Sequence, residues 1–235
     1  MWCAVLLVVA LLAAWVYVLN TYAPGLRAEV RGVPALVETQ LAQQHARYVP
    51  LAGISPNLQH AIVAIEDHRF YSHPGIDPIS IVRAFWVNLT SKQVDQGGST
   101  LEEQLVKRAF VLDDRSPRAK LREMGLAWAA DQEFSKARIL ELYLNAAYYG
   151  RGAYGVGEAA GVYFGRDPAH LTLAQAAFLA ALPQAPTVYG ANPTSTTIQE
   201  RWRSVLRAMV KYGYSTAEEA RTAEATPLTF ALPNP

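Results

Sequence analysis

The chain is predicted to be all-α, and three observations carry that reading. From Tyr48 onward apolar residues recur at the three-to-four spacing of a helix face. No stretch alternates apolar with polar residues as a half-buried strand would, and no internal repeat is visible. Pro, Gly, Ser and Thr fall where helices start and stop.

The first element is set by composition. No charged residue precedes Arg27, and Trp2 to Leu19 is almost wholly Ala, Val, Leu, Trp and Tyr. Eighteen such positions at ~1.5 Å each nearly match a ~30 Å hydrocarbon layer, so residues 1–22 read as a transmembrane signal anchor. Trp15, Tyr17 and Tyr22 stand where an interfacial aromatic belt forms. The competing reading, a cleaved signal peptide, lacks a basic n-region and a nearby small-x-small cleavage site. Pro24, Gly25, Gly32 and Pro34 then interrupt the pattern, and the Gln-rich stretch Val37 to Ala46 reads as part of a juxtamembrane stalk over 23–47. One folded domain is expected over 48–235.

Within it, Asn57 or Ser55 caps a helix running through Ile62 and Ile65. A second helix spans about Pro78 to Leu89, and a third begins at Ser99 or Thr100. Further helices are expected at Pro117 to Glu133 and at Lys136 to Tyr149, the latter capped by Ser135 and burying Ile139, Leu140, Tyr143 and Leu144. Gly150, Gly152, Gly155 and Gly157 make a turn-rich stretch before a helix over Glu158 to Phe164. Thr172 caps Leu173 to Leu182, which Pro183 and Pro186 stop. Helices over Thr196 to Tyr212 and Ala217 to Ala225 complete the set, with Ser215 and Glu218 as a capping box for the last.

Charge excludes one large class. With 21 basic against 20 acidic residues the chain is no nucleic-acid binder, so any anion site is local. The single cysteine, Cys3, rules out an internal disulfide and a Cys-based metal site.

Polar residues concentrate in a few segments. Glu66 closes an apolar run and opens Glu66-Asp67-His68-Arg69-Phe70-Tyr71-Ser72-His73-Pro74-Gly75. An acid at the negative end of a helix dipole is locally unfavourable, which points toward function. The segment Gln96-Gly97-Gly98-Ser99-Thr100 leads into a helix on which Gln104 and Lys107 share a face, a suitable anion site and equally an ordinary helix start. Glu123 stands among Arg115, Arg118, Lys120 and Arg122. Two carboxylates flanked by cations suit glycosyl transfer with an anionic leaving group.

Taken in order, these segments resemble the peptidoglycan glycosyltransferases, the family of monofunctional biosynthetic transglycosylases and of the N-terminal domains of class A penicillin-binding proteins. Its first motif is met by Glu66, Asp67, Phe70, His73 and Gly75, and its second by Gly97, Gly98, Ser99, Thr100, Gln104, Leu105 and Lys107. The third is met at Lys120 and Glu123, and the fourth at Ser135, Lys136, Ile139, Leu140, Glu141, Tyr143, Leu144 and Asn145. The resemblance implies a lysozyme-like, two-lobed helical domain on the outer face of the bacterial cytoplasmic membrane that polymerises lipid II into β-1,4-linked glycan and releases undecaprenyl pyrophosphate. Glu66 is then the general base and Glu123 the second carboxylate. Asp67, Phe70, His73, Arg83, Ser99, Thr100, Gln104, Lys107, Arg115, Lys120 and Arg122 fall at substrate-binding positions. Mg2+ or Mn2+ is implied, bound mainly through the substrate pyrophosphate, with no protein metal ligand firmly assigned. The partners implied are lipid II, the growing glycan chain, the membrane and other cell-wall synthases. The apolar segment Ile79 to Leu89 suits a membrane-dipping surface or a packed helix.

Four positions depart from the family pattern. Glu102 and Glu103 stand where Thr and Gln are usual, Arg108 replaces Asn, and Ala119 replaces an Arg. Two added acids and a missing cation are expected to weaken anion binding, which gives an alternative reading: a membrane-anchored lipid II-binding scaffold of reduced activity. A lysozyme-like hydrolase is a third reading with no better motif match. The length leaves no room for a transpeptidase domain after the last helix, and Thr226 to Pro233 resembles the start of the linker that precedes one.

Overall fold

The structure is a computed structural model that describes residues 17, 21–82, 98–112, 114 and 116–231. Its elements are helical: α1 (Val33–Gln43), α2 (Pro56–Glu66), α3 (Leu101–Ala109), α4 (Pro117–Glu133), α5 (Lys136–Ala146), α6 (Gly155–Phe164), α7 (Leu173–Ala181), α8 (Pro186–Ala191), α9 (Thr196–Lys211) and α10 (Ala217–Ala225). Residues 21–30 are also helical, as are 78–82, the start of the helix expected from Pro78. Among the described residues the sole β pairing is an isolated antiparallel bridge, Tyr148 with Tyr154. The all-α expectation therefore holds.

Two groups of helices share one continuous core. In the first, α3 packs on α4 and α5, and α1 lies across α5 and α3; in the second, α2 packs on α7 and α9, and α10 closes over both. Leu58, Ile62, Leu101, Leu105, Leu126, Ile139, Phe70 and Phe178 are fully buried, at about 1.5 to 3 kcal/mol each for removing such a side chain from water.

The expected stalk is not one. Val33, Val37 and Leu41 of α1 are buried in the common core, because their three-to-four spacing forms an apolar stripe that α5 covers. The expected span Trp2 to Leu19 lies, apart from Tyr17, outside the described residues, as do 83–97. Among the described residues no helix is long and apolar enough to cross a membrane.

Boundaries moved where backbone chemistry overrode the pattern. α2 starts after Ser55, with Pro56 in its first turn. α5 ends at Ala146 because Ala147 turns extended, which frees Tyr148 and Tyr149 from the helix. α6 begins at Gly155, three residues earlier than expected. α8 was not foreseen: Pro186 reads as a stop, yet it sits in the first turn of a new helix, where its missing N–H costs nothing. The capping box of α10 is Thr216 with Glu219, one residue along from Ser215 and Glu218.

Candidate active site

Three elements from both packing groups converge on Glu66. It is the last residue of α2, carried into place by the buried Ala61 to Ala64. One carboxylate oxygen accepts a hydrogen bond from Gln104 Nε2 of α3 at 2.8 Å, and the other from Arg201 Nη2 of α9 at 3.3 Å. Both ion-pair side chains are largely covered, Glu66 at 12% and Arg201 at 18% exposure. Gln104 is itself held, since Tyr143 donates its hydroxyl to the amide oxygen at 3.3 Å, and Arg108 lies over the Tyr143 ring at 4.7 Å. Burial drives the Tyr143 pKa upward, so the phenol stays a donor.

The cleft in front of Glu66 has a volume of about 890 Å3. It is lined by Glu66, Ser99, Gln104, Lys107, Lys120 and Glu123, which the sequence singled out as site residues, and by Arg108. Also lining it are Gln40 and Gln43 of α1, Gln44 just past its end, and the tilted ring pair Tyr148 and Tyr154, 4.5 Å apart. No ion pair ties Lys107 to another described residue, and its side chain is exposed. Lys120 behaves otherwise: Nζ donates to Glu123 at 2.6 Å and to Glu103 at 2.5 Å.

Four expected substrate contacts form the wall behind the cleft instead. Asp67, Phe70, His73 and Thr100 are buried. Asp67 accepts from the Leu101 N–H at 3.1 Å and pairs with His73 Nε2 at 2.9 Å. Thr100 caps α3 by accepting from the Glu103 N–H, and its hydroxyl donates to the Gly75 carbonyl at 2.7 Å. Lys136 closes the network, donating to the His73 carbonyl, Glu102 and Asp131 at 2.6 to 2.8 Å and lying over the Phe70 ring. The Glu66–Gly75 turn is thereby fastened to the start of α3, which carries Gln104. These side chains bond to protein because the turn and the helix start would otherwise bury unpaired backbone groups.

The two unusual acids do not face the cleft. Helical geometry turns consecutive residues about 100° apart, so Glu102 points to Lys136 and Glu103 to Lys120, with 0% and 1% exposure. Burial raises the Glu102 pKa to about 7 against the opposing pull of Lys136. That corrects one expectation, for neither acid is a free negative in the cleft: Glu102 pairs with Lys136, which also holds Asp131, and Glu103 with Lys120, which also holds Glu123. Arg122 is a second correction, since it pairs with Glu29 at 2.6 Å and does not line the cleft. Arg83 and Arg115 lie outside the described residues. Arg201 was missed because 135 positions separate it from Glu66 and it carries no local motif.

Asp67, His73 and Glu102 place ligand atoms within 4.8 Å of one another. That cluster is filled by the Asp67–His73 hydrogen bond and by the Lys136 ammonium, and it is part of the buried wall. In the cleft, Lys120 occupies one Glu123 oxygen, and Ser116 engages both oxygens of Asp114. Among the described residues Glu66 and Asp114 have both carboxylate oxygens engaged and Glu123 has one, so Glu123 is the cleft carboxylate with an oxygen to offer an ion.

Of the remaining fourth-motif residues, Asn145 lines the cleft and Glu141 braces a neighbouring segment. Asn145 exchanges hydrogen bonds with the Val49 backbone, and Glu141 accepts from the Leu51 N–H and the Tyr48 hydroxyl, clamping the 48–51 segment to α5.

Comparison with known proteins adds a family. Residues 34–210 match the family model described as Transglycosylase. The chain is 39% identical to penicillin-binding protein 1A of Aquifex aeolicus over 92% of its own length and 30% of that protein's. It is 42% identical to penicillin-binding protein 1A of Escherichia coli over 73% of its length and 20% of that protein's. A Cupriavidus necator protein that carries the transglycosylase name is 40% identical over 78% of this chain and 79% of its own. The chain thus spans less than a third of the penicillin-binding relatives named here.

Proposed function

The chain belongs to the transglycosylase family, and from that premise we propose that it is an inverting peptidoglycan glycosyltransferase that polymerises lipid II on a lysozyme-like, two-lobed fold. The carrying observation is the grip of Gln104 and Arg201 on the two oxygens of Glu66 in a cleft that also holds Glu123 and Lys107, which has no ion pair among the described residues.

In this reading the 4-hydroxyl of an acceptor N-acetylglucosamine approaches Glu66. A sugar hydroxyl is too weak an acid to attack unaided, so Glu66 takes its proton as the oxygen bonds to C1 of the donor N-acetylmuramic acid. The C1–O bond to pyrophosphate breaks with its electron pair, and C1 inverts to the β-1,4 link. Gln104 and Arg201 orient the base. Lys107 and Arg108 stand where negative charge accumulates on the departing pyrophosphate, joined by Arg83 and Arg115 if the family's positions carry over. No general acid is required, because the leaving group is already a good one. A divalent ion bound to the pyrophosphate would supply further charge neutralisation. Glu123, held by Lys120, orients the donor.

The catalytic domain would lie on the outer face of the bacterial cytoplasmic membrane, anchored by the apolar segment over 2–19, with lipid II and the growing strand as partners. The alternative of a weakened scaffold rested on two added acids and a missing cation at Ala119; the pairing of Glu102 with Lys136 and of Glu103 with Lys120 weighs against the first of these grounds.

The test is direct. Full-length protein in detergent, given labelled lipid II with Mg2+, should form glycan polymer, and Glu66→Gln should lower the rate by ~10² to 10⁴-fold. Absence of polymer from the parent protein under varied detergent and metal would overturn the proposal.

A further inference from the structure

Lys120 falls at a substrate position, yet its ammonium is already spent. A lysine has three N–H donors, and here three protein oxygens surround Nζ: Glu103 Oε2 at 2.5 Å, Glu123 Oε1 at 2.6 Å and Ser99 Oγ at 3.4 Å. Its side chain is 46% exposed, so solvent or a ligand can reach it. Glu103 is in the opposite state, at 1% exposure, with Lys120 as its ion-pair partner among the described residues and the Ser99 hydroxyl as a neutral neighbour. Among the described residues Lys120 is therefore the cation that answers this buried carboxylate. Turning Nζ toward a phosphate would strand that carboxylate, which is more costly than leaving an exposed pair.

From this geometry we infer that Glu103 is a positioning residue: through Lys120 it fixes the Glu123 carboxylate in the cleft and withholds Lys120 from anion binding. The inference rests on the glycosyltransferase reading for its consequence in turnover, but not for its effect on anion affinity. Desolvation pulls the Lys120 pKa down, and hydrogen bonds and charge from Glu103 and Glu123 outweigh it, so the ammonium stays charged. Anion binding then falls to Lys107 and Arg108, which line the same cleft.

The experiment is a mutant comparison read with inorganic pyrophosphate as the probe, by calorimetry on the full chain in detergent without divalent metal. Glu103→Gln keeps the side-chain shape, removes the buried charge and frees one ammonium donor. It should tighten pyrophosphate binding roughly tenfold, the scale of one charge-assisted hydrogen bond. Adding Lys120→Met to Glu103→Gln removes both partners without stranding a charge, and should return the affinity to the parent value. With lipid II, Glu103→Gln should lower kcat without raising KM, because Glu123 loses its brace.

Pyrophosphate affinity unchanged in folded Glu103→Gln, or a double variant that binds as tightly as Glu103→Gln, would overturn the inference. If the parent makes no glycan yet the affinity pattern holds, the functional reading fails and the role of Glu103 stands. Polymerisation with a flat affinity pattern gives the reverse.

Discussion

Glu66 receives its two hydrogen bonds from opposite packing groups, Gln104 from α3 and Arg201 from α9. A base held from two sides keeps a fixed lone-pair direction, whereas one held from a single side can swing. Loss of a hydrogen bond to a charged group is worth about 1.5 to 3 kcal/mol. Arg201→Met should therefore lower kcat for glycan polymerisation about 10- to 100-fold with little change in fold stability. Steady-state kinetics beside a thermal melt check this, and an unchanged kcat would remove Arg201 from the site. Gln104 was visible from its motif, because a helix start with a polar residue on the Lys107 face is a local pattern. Arg201 was not, since nothing in Thr196 to Lys211 distinguishes it from the neighbouring Arg203 and Arg207.

At the scale of the element, the start of α3 is the point on which the site depends. Thr100 caps the helix and also donates to Gly75, while Asp67 accepts from the Leu101 N–H. Thr100→Val removes both Thr100 bonds, and chemical denaturation should show a loss of about 1 to 3 kcal/mol. Gly75 has φ +79°, and a Cβ there would lie 2.5 Å from the Ala127 carbonyl oxygen of α4. Gly75→Ala combines left-handed strain with a backbone clash and should cost about 2 to 5 kcal/mol, read as a lowered denaturation midpoint. A variant as stable as the parent would show that α4 moves freely against the turn. Helix existence was legible throughout this region, since α4 runs from Pro117 to Glu133 as the pattern required. Ends were less legible: the stop of α5 at Ala146 and the start of α8 at Pro186 depend on where the chain must go next.

Across the whole molecule, buried charge gives stability a pH dependence. Glu102 has an ordinary pKa of 4.5 and a folded value of about 7. Below pH 4.5 it is protonated in both states. Between 4.5 and 7 the unfolded chain has released the proton and the folded one keeps it, so stability falls as pH rises. His73 acts in the same direction: burial alone would lower its pKa, but hydrogen bonding and charge from Asp67, with the charge of Glu102, raise it above 6.5 despite Lys136. Its contribution is present at low pH and is lost as pH rises through the folded value. The parent should therefore lose more denaturant resistance between pH 5 and pH 8 than Glu102→Gln does. Equal losses would mean that Glu102 titrates as it does in the unfolded chain.

Helix class, most helix cores and the singling out of Glu66 and Glu123 were set by the sequence alone, because apolar periodicity and dense polar motifs are local properties. Which motif residues face the cleft was decided only in three dimensions. Asp67, His73, Thr100 and Glu102 read as site residues or intruding acids, and burial made them the wall. Lys120 and Arg122, two positions apart, went to Glu123 and to Glu29. The physical reason is that a charge's role depends on which opposite charge it meets and how much water remains, and both follow from packing between segments distant in sequence.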